Sequence, residues 1–207
     1  MRPLILAGGG GHCLSVLDTV HRIGYYDEII ILDVAERVGG TVSKYTIWGT
    51  EASLPELYGK GCRDIMISVG STASTAVRRA IAEKIERCGF SFVNLFDPSA
   101  VISAEATLGK GIFIGKNAVV NAGVVIGDMA IINSGAIVEH NNFIGEYSHV
   151  SVGSVLCGDV EVGPDCLIGA NATVLPGVHI GKNSIIGAGS LIYRDVSSGS
   201  KIYGGNR

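Results

Sequence analysis

From Ile102 onward the chain keeps a strict beat: every sixth residue through Ile192 is Ile, Leu or Val, sixteen positions without a slip. Four residues after most of them stands a small side chain, as at Ala106, Ala118, Ala130, Ala136, Ser148 and Ser154. Glycine often follows the aliphatic directly, in "IGKNAV", "IGDMAI" and "IGANAT". A sustained six-residue period is the mark of a parallel β-helix built from hexapeptide repeats, three of which close one triangular coil. The aliphatics fill the prism, the glycines are expected to turn its corners, and the stretch makes about five coils.

The first part of the chain follows another rule. "PLILAGGGGH" is a short apolar strand running into a glycine loop, and "HCLSVLDTVHRIG" places Leu14, Leu17, Val20 and Ile23 near helical spacing with Gly24 as the stop. "DEIIILDV" is a second buried strand ending in Asp33, "RDIMISVG" a third, and "ASTAVRRAIAEKIERCGF" an amphipathic helix closed by Gly89. Strand, glycine loop, helix, and strand with an acid at its end make half of a nucleotide-binding α/β unit. The chain therefore reads as a small Rossmann-like α/β domain over 1–97, a β-helix domain over 98–196 and a tail over 197–207.

Composition narrows the partners. Net charge is −3 with no basic block, which argues against nucleic acid. The opening "MRPLILAGGGGH" has an apolar run too short for a signal peptide or a membrane span. Five cysteines with no C-x-x-C spacing fit reduced thiols, and the expectation is a cytoplasmic protein.

Two places carry candidate chemistry. In the glycine loop, Gly8, Gly9, Gly10 and Gly11 let the backbone approach a ligand closely, and the helix that starts near His12 points bare N–H groups at an anion such as a diphosphate. The loop departs from the G-x-G-x-x-G fingerprint, so it also fits a turn that merely tightens a strand-to-helix junction. An acid such as Asp33 also serves commonly as a turn former.

The second place is "IVEHNNFIGEYSHVSVG", where Glu139 replaces the usual small residue directly after the aliphatic and His140 follows. His140 lies two residues after an inward aliphatic, hence at a corner; His149 directly precedes Val150, hence mid-strand and facing outward. Half a coil separates them, roughly 15 Å within one chain, so a shared site needs a corner of one subunit against a face of the next. Gly158 follows His140 by one coil, about 4.8 Å along the axis. A base beside an exposed N–H donor is what acyl transfer requires. His21 and His179 read as surface residues. Zinc needs three converging ligands, and no close H-x-x-x-x-H pair is present, so no metal is expected.

The stretches "GGGGH", "GYYDEIIILD", "ISVGS", "NLFDPSAVIS", "VEHNNFIGEYSHVSVG" and "LPGVHIGKNSIIGAGS" together resemble the bacterial sugar acetyltransferases of the sialic-acid O-acetyltransferase family. Within it they are most similar to the UDP-N-acetylbacillosamine N-acetyltransferases and related nucleotide-sugar N-acetyltransferases. The resemblance implies a left-handed β-helix, a homotrimer with sites between subunits, acetyl-CoA as cosubstrate and a UDP-amino-sugar as acceptor. It makes His140 the general base, with Glu139 and Asn141 beside it. Gly158 would hold the thioester carbonyl, His149 would contact acetyl-CoA or the acceptor, and Ala170 and Ala188 would line the pantetheine slot. Gly8 to Gly11, His12, Asp33 and Gly70 would serve the nucleotide. Members commonly place an acid directly after the catalytic His; here that residue is Asn141, and the sequence offers Glu139 as the nearest carboxylate. The alternatives are O-acetylation of sialic acid or another sugar, and a non-catalytic nucleotide-sugar-binding scaffold.

Overall fold

The computed structural model describes residues 2–71 and 74–205 and divides into two compact units, parted between Leu95 and Phe96. In the first unit the strands β1 (Pro3–Ala7), β2 (Glu28–Leu32), β3 (Thr41–Val42), β4 (Tyr45–Gly49), β5 (Asp64–Ile67) and β6 (Ser91–Phe92) form one sheet in the order β3-β4-β2-β1-β5-β6. Every pairing is parallel except β3 with β4. The helices are α1 (Gly11–Ile23), α2 (Leu54–Gly59) and α3 (Ala76–Cys88). Ala73, the first residue of the stretch read as the last helix, lies outside the described residues. The apolar runs of β1, β2 and β5 are buried, as parallel strands covered on both faces must be.

α1 buries Cys13, Val16, Leu17 and Val20, whereas Leu14 is 51% exposed. The expected face through Leu14 is therefore corrected. Steps of three residues drift about 60° per step around a helix, so four such positions cannot share one face. Gly24 ends the helix in the left-handed region at φ 68, its N–H bonded to the Val20 carbonyl.

The second unit is a triangular prism of two-residue strands. Seven strands from Leu95–Phe96 to Lys201–Ile202 stack as its first face, six from Val101–Ile102 to Leu191–Ile192 as the second, and five from Thr107–Leu108 to His179–Ile180 as the third. Each residue pairs with the one eighteen positions on, as Ile131 with His149 and Val119 with Ile137. The final coil is two residues short, pairing Ile180 with Val196 and Ile186 with Ile202. The inward column from Ile114 to Ile192 is buried throughout.

The glycines divide their work differently from the sequence expectation. The left-handed corner position is taken by Asn and Asp as well as Gly, for example Asn141 (φ 59), Asp159 (φ 61) and Asn171 (φ 55). Glycines directly after the aliphatic answer to crowding instead: a Cβ on Gly127 would stand 2.7 Å from the Glu146 backbone nitrogen of the next coil.

Candidate functional site

The residues singled out by sequence fall into three groups. The first gathers at the carboxyl ends of β1, β2 and β5, where open α/β sheets bind ligands. Gly8 (φ 115) donates its N–H to the Leu32 carbonyl at 2.8 Å, and a Cβ there would collide with Val69. Gly9 N–H reaches Asp33 Oδ2 at 3.0 Å, and Val34 N–H reaches Asp33 Oδ1 at 2.8 Å. Arg37, which sequence reasoning missed, spans the loop: its guanidinium meets Asp33 Oδ2 at 2.6 Å and the Gly9 carbonyl at 2.8 Å. Asp33 thus fastens the loop to the sheet, and Arg37 sets a positive charge on its rim.

Gly10 caps α1 with ordinary extended dihedrals, and no side chain caps the helix. A Cβ on Gly10 or Gly11 would meet nothing within 4 Å. Neither backbone conformation nor packing calls for glycine at these two positions. A bare helix N-terminus with open space before it is a cradle for an anionic group. Half-buried His12 packs beside Gly70, where an added Cβ would stand 3.4 Å from its own.

The second group sits on the corner that follows the second face of the prism. His140 is exposed there, and its imidazole packs against buried Gly158. A Cβ on Gly158 would be 2.5 Å from Nε2 and 3.1 Å from Nδ1. The column that contains both residues accounts for the donor at Gly158. Ala122 N–H is capped by Asn121 Oδ1 at 3.0 Å and His140 N–H by Glu139 Oε2 at 3.3 Å, while Pro176 has no N–H. Gly158 follows Cys157, which supplies no such oxygen, and its N–H has no acceptor among the described residues.

The carboxylate nearest the imidazole is a correction. Glu139 turns to Asn121 Nδ2 at 2.9 Å, whereas Asp159 Oδ2 stands 4.0 Å from His140 Nδ1. Asn141 donates to Asp159 Oδ1 at 3.0 Å and so holds that carboxylate in place. The signal was available, since Asp159 follows Asn141 by the same eighteen residues that link His140 with Gly158. Both side chains are more than half exposed, so solvent screens the pair.

The third group lies elsewhere on the prism. His149 leaves the first face outward, as expected, but is only 8% exposed, with Asn133 Nδ2 3.1 Å from its Nε2. Ala170 and Ala188 stack on the corner after that face; Ala170 is half-buried and Ala188 exposed. One chain therefore does not bring His149, Ala170 and Ala188 to His140 and Gly158. His21 pairs with the Tyr45 hydroxyl at 2.7 Å, and His179 Nδ1 with Glu161 Oε2 at 3.0 Å. Among the described residues no three His, Cys, Asp or Glu side chains converge as a metal site, and no helix is long and apolar enough to cross a membrane.

Comparison with known proteins follows the same division. The family described as the PglD N-terminal domain matches residues 3–85, the hexapeptide repeat of succinyl-transferase 105–140, and the bacterial transferase hexapeptide (six repeats) 159–194. The crystal structure of PerB from Caulobacter crescentus in complex with CoA and GDP-perosamine is 33% identical, covering 99% of this chain and 95% of that one at a TM-score of 0.91. The acetyltransferase domain of PglB from Neisseria gonorrhoeae is 31% identical over 99% of this chain and 97% of that one, at a TM-score of 0.92. The same domain in complex with acetyl coenzyme A matches at 32% identity over 98% and 96%, with a TM-score of 0.91.

Proposed function

The chain belongs to the PglD family of hexapeptide-repeat acyltransferases, with a left-handed β-helix, and we propose that it acetylates the amine of a nucleotide-linked amino sugar. Acetyl-CoA is the cosubstrate, as in the PglB domain complex, and the acceptor class is that of GDP-perosamine in PerB. The observation that carries the proposal is the His140 imidazole packed against Gly158, whose N–H has no acceptor among the described residues.

In the proposed reaction the sugar amine attacks the thioester carbonyl, forming the N–C bond. His140 takes the amine proton at Nε2, with Nδ1 facing Asp159. Gly158 N–H receives the charge that develops on the carbonyl oxygen. Collapse breaks the C–S bond, and the proton passes from His140 to the departing CoA sulfur. The diphosphate rests on Gly10 and Gly11 at the start of α1, with Arg37 alongside. His149, Ala170 and Ala188 contact the donor from a neighbouring subunit. We take the nucleotide to be UDP, following the sequence resemblance.

A homotrimer fits the prism's second face, whose outward row is Val101, Val119, Ile137, Val155, Thr173 and Leu191. Val101 is 64% and Leu191 46% exposed, which is apolar surface awaiting a partner. The solution mass should be three times 21.5 kDa. The donor, the sugar nucleotide and five free thiols all suit the cytoplasm.

Thiol release from acetyl-CoA, measured with a panel of UDP- and GDP-linked amino sugars and their hydroxyl counterparts, tests the reading. His140→Ala should lower kcat by about two to four orders of magnitude with the assembly intact. A variant within threefold of the parent would remove His140 as the base. Turnover with hydroxyl acceptors alone would replace N- by O-acetylation, turnover with GDP-linked sugars alone would overturn the choice of UDP, and none at all would indicate a binding scaffold.

A further inference from the structure

One inward column of the prism carries an amide among aliphatic side chains. The column Val124, Asn142, Val160 and Val178 is buried, at 0%, 1%, 1% and 5% exposure, and its second member is a carboxamide among valines. A buried amide is costly unless its donors and acceptor are used. Both ends of Asn142 are used on the next coil. Its Oδ1 accepts the Val160 N–H at 2.5 Å, and its Nδ2 donates to the Leu156 carbonyl at 3.3 Å.

These two bonds bracket the turn Cys157-Gly158-Asp159 and tie it to the inside of the prism. In the turns 115–118, 133–136, 151–154 and 169–172 the fourth residue's N–H bonds the first residue's carbonyl, at 3.1 to 3.3 Å. In 157–160, as in 121–124, 139–142 and 163–166, no such bond forms among the described residues, and Val160 N–H is taken by Asn142 instead. Asn141 holds the same turn from outside through Asp159 Oδ1. The Asp159 N–H in turn reaches the His140 carbonyl at 3.0 Å.

We infer that Asn142 is a positioning residue for acyl transfer. From inside the prism it sets the 157–159 turn so that the Gly158 N–H faces the reacting carbonyl beside His140. It touches neither substrate. The inference rests on the roles proposed above for His140 and Gly158. Freed from Asn142, Val160 N–H would lose its acceptor and the turn its hold from inside the prism, and the Gly158 N–H would lose its aim.

Asn142→Val restores the column's own residue, so it should fold at least as stably as the parent. Its kcat should nevertheless fall about tenfold or more with both KM values unchanged, since an ångström of misplacement is enough to produce losses of that order. Asn142→Ser keeps an acceptor for Val160 N–H, as Ser148 Oγ does for Cys166 N–H at 3.0 Å, and should recover part of the rate. His140→Ala is assayed beside them. If Asn142→Val keeps full kcat while His140→Ala is inactive, the positioning role is wrong and the site stands. If His140→Ala keeps full kcat, the site falls and the inference with it. A loss of kcat in Asn142→Val matched by a fall in its unfolding temperature, with no recovery in Asn142→Ser, would reduce Asn142 to a core residue and overturn the inference.

Discussion

Gly158→Ala separates the position of the proposed base from the donor beside it. Alanine keeps the backbone N–H, and Gly158 is not among the residues of positive φ, so the backbone accepts a Cβ without strain. The space does not. The new methyl would stand 2.5 Å from His140 Nε2, where ordinary contact begins at 3.4 Å, so the ring must retreat. The retreat is about 1 Å, a misplacement that costs on the order of 10²-fold in rate, or about 2.7 kcal/mol of transition-state stabilisation. Because His140 is exposed, the ring can swing into solvent, and the stability lost should be only that of a displaced rotamer, about 1 kcal/mol. Thiol release at saturating sugar nucleotide reads kcat, and thermal unfolding of the same preparation reads stability. The expected result is a kcat lower by about a hundredfold in a protein that melts within a few degrees of the parent. A kcat within threefold of the parent in the folded variant would mean that the contact between His140 and Gly158 does not set the rate.

Gly10→Val fills the open space before α1 while fitting the backbone's extended dihedrals. It should raise KM for the sugar nucleotide about tenfold or more and leave KM for acetyl-CoA unchanged, with an unfolding midpoint within a few degrees; equal losses for both substrates would sink the diphosphate assignment. Burial pushes the thiols of Cys13 and Cys166 up from 9.0 to about 11, so at pH 8 both are protonated and should resist iodoacetamide until the protein is denatured. The unfolded chain ionises these thiols near 9.0, below the folded values, so stability should fall as pH rises from that value toward about 11. Peptide mapping by mass spectrometry and urea unfolding across that range check the two statements, and labelling of Cys166 in the native protein would contradict the first.

The prism was legible because every sixth residue points into its core, and a closed triangular coil leaves that residue no freedom to be polar. The same arithmetic put Gly158 beside His140. It could not show that His149 is covered: the outward row Phe113, Ile131 and His149 is buried at 1%, 1% and 8%, and a repeat rule carries no information about what lies over a face. Nor could the glycine loop reveal Arg37, since its reach to Gly9 depends on where the chain after β2 turns back.

Asn141 shows what reading along the chain alone loses. Judged against relatives that place an acid after the histidine, it is a weakened partner, and Glu139 is the only neighbouring replacement. The prism has a second kind of adjacency, however, because each residue also lies beside the one eighteen positions away. Along that axis Asn141 meets Asp159, and Asn142 spans from Leu156 to Val160. The acid absent from the position after His140 stands instead on the next coil, where Asn141 holds it and its oxygen faces His140 Nδ1. In such a fold a loss of charge at one position is a loss of function only if the positions eighteen residues before and after fail to supply it.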